Sequence, residues 1–299
     1  MRPGFFIVIL LSMISYLIVD GRIIKPQSNS KYELQQLILT GQEETQQQYS
    51  VLTPAVTYAM QKLIGVIVIN NAKARLYSFE IVAFFSFLAF YFILYFYLRL
   101  NFDEKQSMIG LLLFQSVIML LIQNVYTEPA IFNLTFFAAG LLIIAMKKDF
   151  LLPLVIMLGS LNQPQILALL LFYMIYQFSS GNLMKLRSSV IVLTSLASWL
   201  LVENILKSFY GLRPETSPGQ LDLVNIPMFI LMLGILVVMS FKSLFKGDMI
   251  FKFSILFTPL YILLALMLMP QATLLDLSPV LLFIIPAGLY RFSDSQIKA

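Results

Sequence analysis

The sequence predicts an all-α fold, a polytopic transmembrane helical bundle of about ten membrane segments, and three features predict it. Of 299 residues, 59% are apolar and only 12% are charged, and the mean hydropathy is +0.86. Soluble domains carry roughly a quarter charged residues, and a chain this apolar has too little polar surface to cover a water-soluble core. Long apolar runs also recur from residue 5 to residue 290, broken only by short polar stretches. Several approach the ~20 residues that span hydrocarbon, so lipid is the burial partner they require.

The first run, Phe5–Val19, follows Arg2 and precedes a polar stretch, as a signal peptide would. Ile18-Val19-Asp20-Gly21-Arg22 lacks the small residues of a cleavage site, so the run reads as a retained first helix over about 5–20. The later candidate spans are 78–99, 107–123, 130–146, 150–161, 164–178, 188–206, 226–241, 250–269 and 277–291. The fifth and sixth of the ten are short and meet at Leu161-Asn162-Gln163-Pro164. Proline has no amide donor and restricts the residue before it, which makes this a tight polar turn between two short helices. Residues 51–72 are apolar enough to cross, but Pro54, Gln61 and Lys62 interrupt them.

Charge selects between the two resulting topologies. With 51–72 lying along the surface and the N-terminus cytoplasmic, the cytoplasmic side holds twelve of the twenty basic residues, among them Arg99, Lys147, Lys148, Lys185 and Arg187. The outer side holds eight, mostly in one long loop, and its other short turns carry no Lys or Arg near 124–129, 162–163 and 270–276. Short loops obey the positive-inside rule best. If 51–72 crossed, Lys147 and Lys148 would move outside and the bias would weaken. The expectation is one transmembrane domain over 1–299, with ten crossings, both termini cytoplasmic and an outer-face loop at 20–78 that carries a surface-lying amphipathic segment. No tail is basic enough to suggest nucleic acid; the net charge of +5 serves topology.

Cysteine and histidine are both absent. Disulfides, thiol nucleophiles and Cys/His zinc sites are therefore excluded, as is the usual general base near neutral pH. Acid–base chemistry is left to carboxylates, Lys or Tyr, and the topology gathers several on the outer face. Asp20 follows the first helix directly, Glu128 stands in Tyr126-Thr127-Glu128-Pro129, Arg213-Pro214-Glu215 lies in the 207–225 loop, and Asp276 precedes the last helix.

In order along the chain, Asp20 after the first helix, Tyr49-Ser50-Val51-Leu52-Thr53-Pro54, Tyr126-Thr127-Glu128-Pro129 and Leu161-Asn162-Gln163-Pro164-Gln165 resemble the GT-C glycosyltransferase superfamily of prokaryotic membrane proteins, in particular its small, divergent members. Relatives of that kind place an acidic residue in the first outer loop, a "Y-R-x-L-T-P" segment before an amphipathic stretch, an acidic second outer loop, and "L-N-R-E-T" at the fourth position. The likeness covers roughly residues 5–180. The sequence departs from it at Ser50, where the Arg is missing, and at Gln163 and Pro164, which replace the Arg–Glu pair.

The resemblance implies a GT-C-like fold and the transfer of a sugar from a polyprenyl-phosphate carrier to an acceptor at the outer membrane face. Asp20 is then the candidate catalytic base that deprotonates or orients the acceptor; its plainer role is to cap or solvate a helix end. Glu128 is a candidate contact to the acceptor or to a divalent cation shared with Asp20, since hard cations prefer oxygen, and otherwise marks a turn. Arg213 first and Arg22 second are the candidate partners of the phosphate, because a guanidinium forks onto its oxygens; a salt bridge to Glu215 is the plainer role for Arg213. Asn162 and Gln163 either line the outer cavity or satisfy backbone groups freed near Pro164. Glu203, near a helix end, is expected to reach water, and the Phe and Tyr richness is expected to be lipid-facing. Asn133-Leu134-Thr135 matches a glycosylation acceptor but falls inside a span. The alternative to an enzyme is a non-catalytic GT-C-fold subunit packed among other membrane subunits. A transporter fits less well, because it would show paired repeats and midplane charges.

Overall fold

A computed structural model of the chain describes residues 3–43, 46–122, 127–211, 249–268 and 275–293, with residues 234, 236–238 and 240 between them. Every regular element among the described residues is helical. Helix α1 (Pro3–Val19) runs through the first apolar stretch and widens into a π-helical turn over Asp20–Ile24, closed by Lys25 N–H to Asp20 O at 3.0 Å. Helix α2 (Ser28–Thr40) stops at Gly41, whose φ of 77° is the left-handed conformation that favours glycine. The short α3 (Leu52–Gly65) follows. Helix α4 (Asn71–Arg99) is capped by Asn70, whose side chain accepts from the amides of Ala72 and Lys73 at 3.0 and 3.1 Å. Asp103 caps α5 (Glu104–Leu121) in the same way.

The remaining helices are α6 (Thr127–Ala145), α7 (Leu152–Ser160), α8 (Leu167–Ser179), α9 (Leu186–Tyr210), α10 (Met249–Leu268) and α11 (Val280–Ser293). Among the described residues, five helical stretches are long and apolar enough to cross a membrane: Gly4–Ile24, Asn71–Arg99, Glu104–Leu121, Glu128–Ala145 and Leu186–Tyr210. This suits an integral membrane protein. The 14 residues of α3 rise only about 21 Å, short of a crossing. The same holds for α7 and α8, whose junction stays inside protein. The expected span at 226–241 lies largely outside the described residues.

Helix α4 is the centre of the packing and lies against α1, α3, α5 and α6. Phe87, Phe90, Tyr91 and Phe114 are fully buried there, and the Tyr91 hydroxyl meets Ser15 Oγ at 2.9 Å. Tyr49, Tyr97, Tyr173 and Tyr261 are enclosed as well. Part of the aromatic content therefore fills the core, while Phe6, Phe85, Phe92 and Phe96 are exposed on α1 and α4. Glu203 is likewise 4% exposed on α9 rather than water-facing, and Asn133 is buried within α6.

Close approach of the α7–α8 hairpin depends on Gly159. A Cβ there would stand 2.7 Å from Ile166 Cγ1, and Ile166 is fully buried with little room to yield. Gly159→Ala is expected to destabilise the protein by about 1–3 kcal/mol. A lowered thermal unfolding midpoint would be the sign.

Candidate functional site

Asp20 starts the π turn at the end of α1, where the wider winding carries its carboxylate inward although Gly21 and Arg22 beside it are exposed. Only 4% of Asp20 is exposed. Its Oδ2 accepts from Lys25 Nζ at 2.6 Å, while Oδ1 is buried and has no donor among the described residues. The hydrogen bond to Asp20 holds the Lys25 ammonium above its ordinary pKa. Glu80 of α4 comes within hydrogen-bonding reach of the Asp20 carboxyl, and Tyr16, one helical turn back on α1, lies within range of both charges.

Glu128, in the first turn of α6, is 5% exposed and gives both its oxygens to Lys31 Nζ at 2.6 Å each. Lys31 is reached because α2 turns one stripe, Lys31, Gln35 and Ile38, into the protein at i, i+4 and i+7 spacing. The ammonium also lies 5.8 Å from the centre of the Phe79 ring. Lys31, Gln35, Thr53, Phe79, Glu128 and Pro129 line a space of about 40 Å³, room for a water or two. With both Glu128 oxygens on Lys31 and Asp20 absent from this lining, the geometry does not fit a divalent cation shared by Asp20 and Glu128. Among the described residues no cluster of three or more acidic groups gathers to hold one.

The tip between α7 and α8 is fully enclosed. Asn162 donates from Nδ2 to Pro129 O at 2.6 Å and accepts at Oδ1 from the Thr53 hydroxyl at 2.7 Å. Gln163 Nε2 donates to Asp276 Oδ1 at 2.8 Å, and Gln163 Oε1 accepts from Gln165 Nε2 at 2.6 Å. The Tyr261 hydroxyl of α10 sits 3.1 Å from both Gln165 Oε1 and Asp276 O. Leu161 O receives the amides of Val51 and Leu52, and Pro164 O receives the Trp199 indole. Non-helical backbone deep in an apolar bundle must be satisfied in this way. Asn162 and Gln163, 0% and 1% exposed, position the tip against α3, α6 and the turn before α11. Thr53→Val, which keeps the shape and leaves Asn162 Oδ1 without its donor, is expected to cost about 1–3 kcal/mol, measured as a lowered unfolding midpoint.

Arg22 is exposed on the π turn close to Asp20. Arg213 lies outside the described residues. The structure thus sets Asp20 and Glu128 at one end of the bundle and on neighbouring parts of α4, beside Glu80 and Phe79 respectively. Glu80 and Lys31 escaped the sequence reading. Glu80 is the only charge in the run 76–98, and an ionisable group inside such a run is itself a pointer to function. Lys31 was betrayed by sharing a helical stripe with Ile38. Compared with family models, curated proteins and solved structures, the chain matches none.

Proposed function

We propose that the chain is a GT-C-like membrane glycosyltransferase in which Asp20 activates the acceptor for attack on a polyprenyl-phosphate sugar. The observation that supports this is the Asp20 carboxylate itself: one oxygen anchored by Lys25, the other buried and without a donor. A base held in this way has a lone pair free for an acceptor hydroxyl. The hydroxyl proton passes to Asp20 Oδ1, the acceptor oxygen bonds to the anomeric carbon, and the carbon–oxygen bond to the carrier breaks, releasing polyprenyl phosphate. Arg22, and Arg213 in the 207–225 loop, supply the cations for that leaving phosphate. The proposal keeps a prokaryotic inner membrane, with both termini cytoplasmic and the Asp20 end outside.

A second reading, a non-catalytic GT-C-fold subunit of a larger membrane assembly, draws on the other carboxylate. Glu128 is neutralised within the chain, and the space beside it is too small for a sugar. The two readings separate in proteoliposomes supplied with a panel of polyprenyl-phosphate sugars and acceptor glycans. Transfer by the wild-type chain that disappears in Asp20→Asn supports the enzyme. Equal transfer by the two proteins sinks Asp20 as the base, and no transfer by the wild type, together with a stable partner on gentle solubilisation, favours the subunit.

A further inference from the structure

At the opposite end of the bundle, where α6 stops, α7 begins and the α8–α9 connection turns, lies a cavity of about 260 Å³ lined by Lys147, Asp149, Gln177, Lys185, Arg187 and Ser188 among others. We propose that this cavity binds a phosphate group, and specifically the headgroup of an acidic phospholipid.

The charge balance comes first. Three cations face one carboxylate, and that carboxylate is already used: Asp149 Oδ1 accepts from Arg187 Nη2 at 2.7 Å and Oδ2 from the Tyr173 hydroxyl at 2.8 Å. Arg187 Nη2 also reaches Lys147 O at 3.2 Å. The guanidinium is thereby held in one orientation, and its Nη1 and Nε edge has no partner among the described residues. A fork fixed on one side and free on the other suits two oxygens of a phosphate. The ammonium groups of Lys147 and Lys185 likewise have no partner among the described residues.

Two backbone features point the same way. Helix α9 begins at this cavity with no side chain capping it, since its N-cap is Lys185. Its first amides therefore present donors and the positive end of a 25-residue helix. Lys147 holds φ at 57°, the left-handed region that glycine occupies at little cost. A lysine stands where the backbone prefers glycine, and its charge is delivered to the cavity lining.

The surroundings choose the lipid. Phe150, Phe178, Met184 and Leu186 flank the cavity in sequence and are 63%, 70%, 91% and 81% exposed. Apolar and aromatic side chains this exposed beside cations belong at a membrane interface, where a basic pocket between helices meets acidic headgroups. None of this depends on chemistry at the Asp20 end.

The test uses the full chain in neutral detergent, titrated with phosphatidylglycerol, with phosphatidylcholine, and with inorganic phosphate, and read by the unfolding midpoint. Phosphatidylglycerol is expected to raise the midpoint and phosphatidylcholine to leave it unchanged. In the double variant Lys147→Gln/Lys185→Gln the half-saturating phosphatidylglycerol concentration should rise roughly 30-fold. Both lysines are exposed, so the fold tolerates the change, and Lys62→Gln/Lys73→Gln at the other end is the control. If inorganic phosphate alone gives the full shift through the same two lysines, the anion site stands and the lipid assignment falls. A double variant that responds like the wild type, or a control that loses the response equally, overturns the site.

Discussion

Asp20→Asn is expected to lower sugar transfer by about 10²–10⁴-fold, the range spanned by removing a positioned general base. The substitution keeps the size of the side chain and takes away the anion that accepts the acceptor's proton. Its structural cost is small, because the Lys25 it releases is 58% exposed and returns to water. Abundance and unfolding midpoint should therefore stay near wild type while turnover collapses. Glu80→Gln is the informative companion. It removes the neighbouring carboxylate and leaves Asp20 itself in place, so it should shift the pH profile of transfer rather than abolish it. An Asp20→Asn protein that unfolds as readily as it loses activity would instead make Asp20 a structural residue.

The second large effect is on stability, at Lys31 and Glu128. Their side chains are 3% and 6% exposed. Removing one partner of so enclosed a pair strands the other charge without water or counterion, which costs about 3–5 kcal/mol. Lys31→Met and Glu128→Gln are each expected to lower the unfolding midpoint steeply and reduce the yield of monodisperse protein. The double variant should recover much of the loss, because an apolar or neutral pair is often as stable as the ion pair it replaces. A double variant as damaged as the sum of the singles would show that the two residues do not act as a pair. If Glu128 instead contacts substrate, the recovered double variant would still be inactive, and stability and turnover separate the two roles.

How much of this was legible in the sequence varied from residue to residue. The end of α1 at Asp20, the caps at Asn70 and Asp103 and the break at Leu161–Pro164 are local events, decided by residues within one or two turns. The role of Asn162 and Gln163 was open for a different reason. A polar tip is equally suited to lining a cavity or to satisfying backbone, and only the positions of Thr53, Pro129 and Asp276 decide between them. Glu80 was hidden by the length of the apolar run around it, and Lys31 by sitting in a loop region whose helix, once formed, turns it inward.

The sequence by itself determined the helical class, the membrane character and the chemistry left without Cys or His, because apolar content, run length and residue type act without reference to distant partners. Only the tertiary structure decided which charges meet. Lys31 and Glu128 are 97 residues apart, Gln163 and Asp276 are 113 apart, and Glu80 reaches Asp20 across two helices. In a low-dielectric bundle a charge is stabilised by its nearest partner and by little else. The packing of α2, α4 and α6 therefore leaves Asp20 Oδ1 without a donor among the described residues and puts both Glu128 oxygens on Lys31.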